Sequence, residues 1–356
     1  MEERQLTPRE NALIAYKHGV PAYIPTLFTD ISMIQANPTM ERYCGNQVGL
    51  DDFGVEWTYV ADAKAPMPTT GKILFDDIAD WRSHVKFPDL EAIDWDKQAD
   101  IDVHTDFMAL VAGAGIVPMA DGKSAYDEDK LVLCMVINGP FERLHSMMGF
   151  ENALMALLTD PDECYEYFKA IADWKIEYFK KIAKHYKVDV INAHDDYGSK
   201  DRMFMSPDTW RQLIKPHLKR MVDACHEAGV LYQHHSCGYI EPILEDLAEI
   251  GVDAIDTLQG GSNKNLVALK QKLGDRLTFC GGFDNQGVLE VPGVTSAQIK
   301  SEYQRVVNDL GPGGSFVVFP ITIGFDYVGD LLDEHFKYGM GFYAKQGELP
   351  NISPLQ

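Results

Sequence analysis

The chain has 356 residues, 46% hydrophobic and 24% charged, the make-up of a folded protein with a core large enough to need no disulfide staples. Its 54 acidic and 32 basic side chains leave a formal net charge of −22. That balance argues against nucleic acid, whose binding depends on Lys and Arg neutralising phosphates, and against docking on an anionic membrane surface.

Met1 to Gly19 carries Glu2, Glu3, Arg4, Arg9 and Glu10 and lacks the uncharged stretch of a secretory signal. Apolar runs such as Leu310 to Phe325 are broken by Gly and Pro and are too short to span a membrane. Gly19 to Phe28 reads as an early strand. Residues 40–125 are rich in Pro, Gly and Asp and read as an insertion or cap. Leu131 to Ile137 is a buried strand, closed by Gly139-Pro140, with a helix from Glu142. Thr159-Asp160-Pro161 opens a helix that runs to Lys187: a capping residue, Pro at the first position, then acids in the first turn.

From there strands and helices alternate. Strands are expected at 188–193, 230–235, 252–257, 277–281 and 315–319. Helices are expected at 206–227, 240–250, 263–273, 295–310 and 327–345. Gly311-Pro312-Gly313-Gly314 precedes a strand and no helix, so it reads as a turn rather than a phosphate loop. The strands are apolar on both faces, as in a parallel sheet covered by helices. A single (β/α)8 TIM barrel over 1–356, with 40–125 inserted, fits better than a doubly wound sheet, since no GxGxxG follows the first strand. The six cysteines are scattered with no CxxC pair, and a reduced, cytoplasmic protein is expected.

Active groups of a parallel barrel sit at the C-terminal strand ends. The residues expected there include Phe28, Asn138, Asn192, His194, Asp195, Asp196, Tyr197, His235, Cys237, Asp256, Cys280, Phe283 and Asp284. In His235-Ser236-Cys237, residues i and i+2 point to one face, so imidazole and sulfur can converge on a zinc ion. The same spacing also fits a buried Cys beside a satisfied His. Cys280 qualifies as a third ligand, and equally as a small core residue. Alternation puts Asn192, His194 and Asp196 on one face, where a carboxylate can serve as general acid or base. Adjacent Asp195 then supports a loop or caps a helix.

The stretches HDDYG (194–198), FMSPDTWRQLIKPHLKRMVDACHEAG (204–229), HSCGYIEPILEDLAEIGVDAID (235–256), FCGGFDNQG (279–287) and LGPGGSFVVFP (310–320) resemble the uroporphyrinogen decarboxylase-like superfamily. NGPFE (138–142) and DDFGVEW (51–57) add weaker matches. The resemblance implies a (β/α)8 barrel, often dimerising. True decarboxylases of the superfamily carry arginines just after the first strand; 26–35 reads TLFTDISMIQ, and Arg42 is the nearest. HxCG at a strand end is similar to the corrinoid-dependent methyltransferase branch, which implies zinc at His235 and Cys237. Some of those relatives use a Cys near the last strand, where this chain reads VVFPITIGF (317–325). Cys280, Asp196 or Asp284 then completes the set, or no zinc binds. The implied reaction moves a methyl group between a small donor, such as a methoxylated aromatic, and a corrinoid on a partner protein. Asp196 and His194 are the expected catalytic groups. Phe28, Tyr197 and Phe283 wall the pocket, and Asn192, Asn138 and Asp256 complete the substrate contacts. A uroporphyrinogen decarboxylase and a non-catalytic ligand-binding barrel are the alternatives.

Overall fold

The computed structural model describes residues 6–63, 65–111, 115–320 and 326–352. Seven parallel strands form a curled sheet in sequential order: β1 (Ile31–Gln35), β5 (Leu131–Val136), β6 (Val190–His194), β7 (Leu231–Ser236), β8 (Ala254–Thr257), β9 (Thr278–Cys280) and β10 (Phe316–Val317). Helices connect them, as parallel neighbours require. β2 (Val48–Leu50), β3 (Glu56–Val60) and β4 (Ala65–Pro68) form a separate antiparallel sheet within the stretch expected as an insertion.

The early strand expected at Gly19–Phe28 is reduced to one parallel bridge between Thr26 and Val318, and β1, at Ile31–Gln35, takes the first place in the sheet instead. Pro21 and Pro25 have no N–H to give a ladder. The Thr26 side chain accepts from the N–H groups of Phe28 and Thr29 and starts the four-residue helix Leu27–Asp30 instead. The helix expected at 206–227 is also divided, into Pro207–Leu213 and Lys215–Glu227. Pro216 has no N–H and its ring crowds the carbonyl four residues back. Residues 321–325, part of the last stretch considered for a ligand, lie outside the described residues.

Strand alternation sorts the core into two parts. Leu131, Leu133, Val190, Ala254, Cys280 and Val317 pack inside the curl with Ala12, Ala15 and Tyr16 of the helix Pro8–Tyr16. Val132, Cys134, Ile191, Tyr232, Ile255 and Phe279 pack outward against the helices. The segment leading to β3 is tied down by buried charges. Asp51 accepts from the N–H groups of Phe53 and Val55, from Trp57 Nε1 and from Arg143 Nη1 at 2.7 Å. Glu41 pairs with the buried Lys175. These contacts hold Arg42 and Cys44 beside the sheet, where both help to line the main cavity.

Candidate active site

The inward alternation that turns the partly buried Leu231 into the curl brings Gln233 and His235 to the same face of β7. His235 Nδ1 lies 2.7 Å from Asp256 Oδ2. The other Asp256 oxygen accepts from Asn192 Nδ2 and Gln233 Nε2, each at 2.7 Å. Gln233 Oε1 in turn accepts from Tyr16 OH at 2.6 Å. Asp256 is fully buried and none of its three partners is a permanent cation. Its carboxylate holds an N–H of His235 at Nδ1 and aims Nε2 at the cluster, where the lone pair becomes available once the second proton leaves. Burial works against a charge on His235, but Asp256 and Cys237 outweigh it and hold its pKa well above the ordinary imidazole value.

Nε2 faces two further groups, Cys237 Sγ at 3.5 Å and Asp196 Oδ1 at 3.7 Å. The ligand atoms of Asp196, His235 and Cys237 lie within 4.8 Å of one another. Asp196 also accepts from the Cys237 N–H at 2.7 Å, which locks the two loops together. Gly238 follows with φ +76, where an added Cβ would sit 2.3 Å from the Gly198 carbonyl oxygen; the glycine of HSCG is required by that close approach. Burial, and next Asp196, raise the Cys237 thiol pKa.

Asp195 and Asp196 divide as alternation requires. Asp195 is buried and accepts from the N–H groups of Phe141 and Glu142, the first turn of the helix Pro140–Met148, and from Tyr197 OH. His194 stacks on His235 with ring centroids 3.9 Å apart, and its Nε2 meets Asn192 Oδ1 at 2.7 Å. Since Asn192 gives its amide hydrogens to Asp256, its oxygen accepts, and His194 carries its proton on Nε2. Burial, and then the positive field of His235, Arg42 and other cations, lower the His194 pKa well below the ordinary value.

A cavity of about 450 Å³ opens on this cluster. His194, His235 and Cys237 form one wall. Phe28, Met33, Phe107, Leu110, Met135 and Ile137 make much of the remainder apolar. Of the expected substrate contacts, Phe28 lines this cavity. Tyr197 is buried behind Asp195, Phe283 lies in the outer core, and Asn138 accepts from Arg42 Nη2 at 2.8 Å. Asn192 and Asp256 stand beneath the two histidines. Cys280 faces the interior but, among the described residues, is not in the group that could hold a metal ion; its thiol donates to Gln233 Oε1 at 3.9 Å. Asp284 accepts from the Gly287 N–H and caps its own loop.

Arg42, Cys44, Ala65 and Pro66 also line the cavity; the sequence points to none of them as site residues and marks Arg42 only as the arginine nearest to the first strand. All four come from the stretch between β1 and β5, which no periodicity ties to the strand ends. Burial, and next Asp196, push the neighbouring Glu142 carboxyl up to about 7.

Among solved structures, a methyltransferase from Methanosarcina mazei matches 94% of this chain and 99% of its own, with a TM-score of 0.58 at 16% identity, a likeness of fold. Among curated proteins, the methylcobamide:CoM methyltransferase MtaA of Methanosarcina barkeri is 29% identical over 130 residues. That match spans 35% of either chain. Residues 122–320, more than half of the chain, match the uroporphyrinogen decarboxylase (URO-D) family, and the chain belongs to that family.

Proposed function

We propose that this chain is a methyltransferase that moves a methyl group between a small methylated compound and a corrinoid carried by a separate protein, acting as an O-demethylase on a methoxylated aromatic. The observation that carries this reading is the Asp196/His235/Cys237 cluster at the foot of a mostly apolar cavity. One oxygen, one imidazole nitrogen and one sulfur are a donor set that suits zinc, and three protein ligands with an open position mark a catalytic rather than a structural site. The buried Asp256 carboxylate behind His235 fits as well, since it presents the Nε2 lone pair to the cluster. Zinc held by these three residues would act as a Lewis acid on the oxygen that gives up the methyl group.

The remaining work falls to the chain's own side chains. Asp256 holds the His235 tautomer and His194 packs flat against that ring. Phe28, Met33, Phe107 and Leu110 exclude water from the donor. In the transfer the methyl carbon–oxygen bond breaks, the oxygen keeps the bonding pair, and the reduced corrinoid of the partner is the methyl acceptor. The size and apolar lining of the cavity favour a ring-sized donor over a small thiol. Work in the reduced cytoplasm belongs to the same reading and agrees with six free cysteines. The test is spectroscopic: Co(I) corrinoid is mixed with the purified chain and a panel of methoxylated aromatics, and formation of the methylated corrinoid is followed. No methylation with any donor, together with decarboxylation of uroporphyrinogen, would overturn the proposal.

A further inference from the structure

The cavity wall opposite in chemistry to the apolar side chains is Arg42. It is the one Lys or Arg side chain lining the cavity among the described residues. Its guanidinium lies over the Trp57 ring, 5.1 Å from the centroid, so its plane is held. Nη2 donates to Asn138 Oδ1 at 2.8 Å and stands 3.8 Å from Glu142 Oε1. Nε is buried and has no hydrogen-bond partner. The side chain is 28% exposed. Nε is closed off from the cavity, so a ligand meets the partly exposed end of the guanidinium, the one permanent cation that this mostly apolar cavity offers to an acceptor among the described residues. Asn138 braces this arrangement. It adopts a left-handed backbone conformation (φ 56) and gives its own amide hydrogens to the Glu41 carbonyl, so its oxygen is turned to hold Arg42 in place.

We infer that Arg42 sets the specificity of the cavity, which takes an aromatic ring bearing a carboxylate that hydrogen-bonds to the Arg42 guanidinium. The methoxy group of that donor rests on the methyl-transfer reading; the carboxylate rests on Arg42 alone. A planar carboxylate matches the guanidinium fork, whereas a cationic methyl donor such as a quaternary ammonium meets a like charge. The overall charge of −22 does not oppose a monoanion here, because exposed charges beyond about 8–10 Å are screened at physiological ionic strength while Arg42 acts at contact.

The test is calorimetric binding of 3-methoxybenzoate and of its neutral isostere 3-methoxybenzamide to the full chain. A charge-assisted hydrogen bond predicts that the benzoate binds roughly tenfold to a hundredfold more tightly than the amide. Arg42→Gln should bring the two dissociation constants to within about threefold of each other, and Arg42→Lys should restore part of the preference. Equal or tighter binding of the amide by the natural chain overturns the inference without any variant having to fold. Equal weakening of both ligands in Arg42→Gln also overturns it, since Arg42 would then only support the wall. The two readings fail separately. Carboxylate preference without methyl transfer to a corrinoid removes the proposed reaction and leaves Arg42 in its role. Methyl transfer without carboxylate preference removes the role of Arg42 alone.

Discussion

Replacing Asp256 by Asn changes the fewest atoms and tests the largest share of the site. In the native arrangement one carboxylate oxygen serves Asn192 and Gln233, and the other serves His235 Nδ1, all at 2.7 Å. The amide oxygen of Asn can take over the first role. Its NH2 group then faces His235 Nδ1, where two donors cannot meet. The imidazole must move its proton to Nε2, the nitrogen that faces Cys237 and Asp196. Zinc binding would have to reverse that shift and lose the charge-assisted bond to Asp256, worth about 1.5–3 kcal/mol. The variant should therefore bind zinc roughly tenfold to a hundredfold more weakly. Competition with a chromogenic zinc chelator, under reducing conditions that protect Cys237, measures this directly. Far-UV circular dichroism and a thermal melt check that the fold survives. Zinc affinity within about threefold of the natural chain would refute the argument that Asp256 presents Nε2 to a metal.

Three further outcomes are expected. His235→Ala and Cys237→Ala should each lose most of the zinc found by elemental analysis while still melting cooperatively; full zinc content in either would remove that residue as a ligand. Arg143→Met should destabilise the chain by about 3–5 kcal/mol in urea, because it strips a buried partner from Asp51 at 2.7 Å and from Glu41 at 3.7 Å; a loss under about 1 kcal/mol would contradict this. Lys270→Met should stabilise the chain at pH 7 by about 1–3 kcal/mol. Burial lowers the Lys270 pKa to about 8, with Glu348 opposing, and its Nζ has only a 3.5 Å contact to the Pro312 carbonyl. The unfolded chain thus binds the extra proton between about 8 and the ordinary value of 10.5, so native stability rises with pH across that window. The advantage of Lys270→Met should be full below about pH 8 and fade above it; denaturation curves from pH 7 to 10.5 would show a constant difference if the reasoning is wrong.

What the sequence determined by itself is local. Alternation within a strand has a period of two, so the inward residues of β5, β6 and β7 follow from any one of them. That is why the face shared by Asn192, His194 and Asp196, the convergence of His235 and Cys237, and the divergence of Asp195 from Asp196 were legible. The long strand–helix rhythm after residue 130 was legible from its periodicity, except where Pro216 divides a helix; before it, Pro25 removed a backbone donor from the strand expected at Gly19–Phe28. The tertiary structure decided which residues from different strands meet. Asp256 was read as a substrate contact and stands behind His235, since strand register rather than spacing sets that pairing. Asp196 rather than Cys280 lies with His235 and Cys237 in the group that could hold a metal ion, because the Cys280 side chain lies deeper in the curl beside Gln233. Arg42 and Cys44 reach the cavity only through the buried charges that fold residues 39–57 against the sheet. Contacts between residues about a hundred positions apart, such as Arg143 with Asp51, leave no periodic trace in a single sequence.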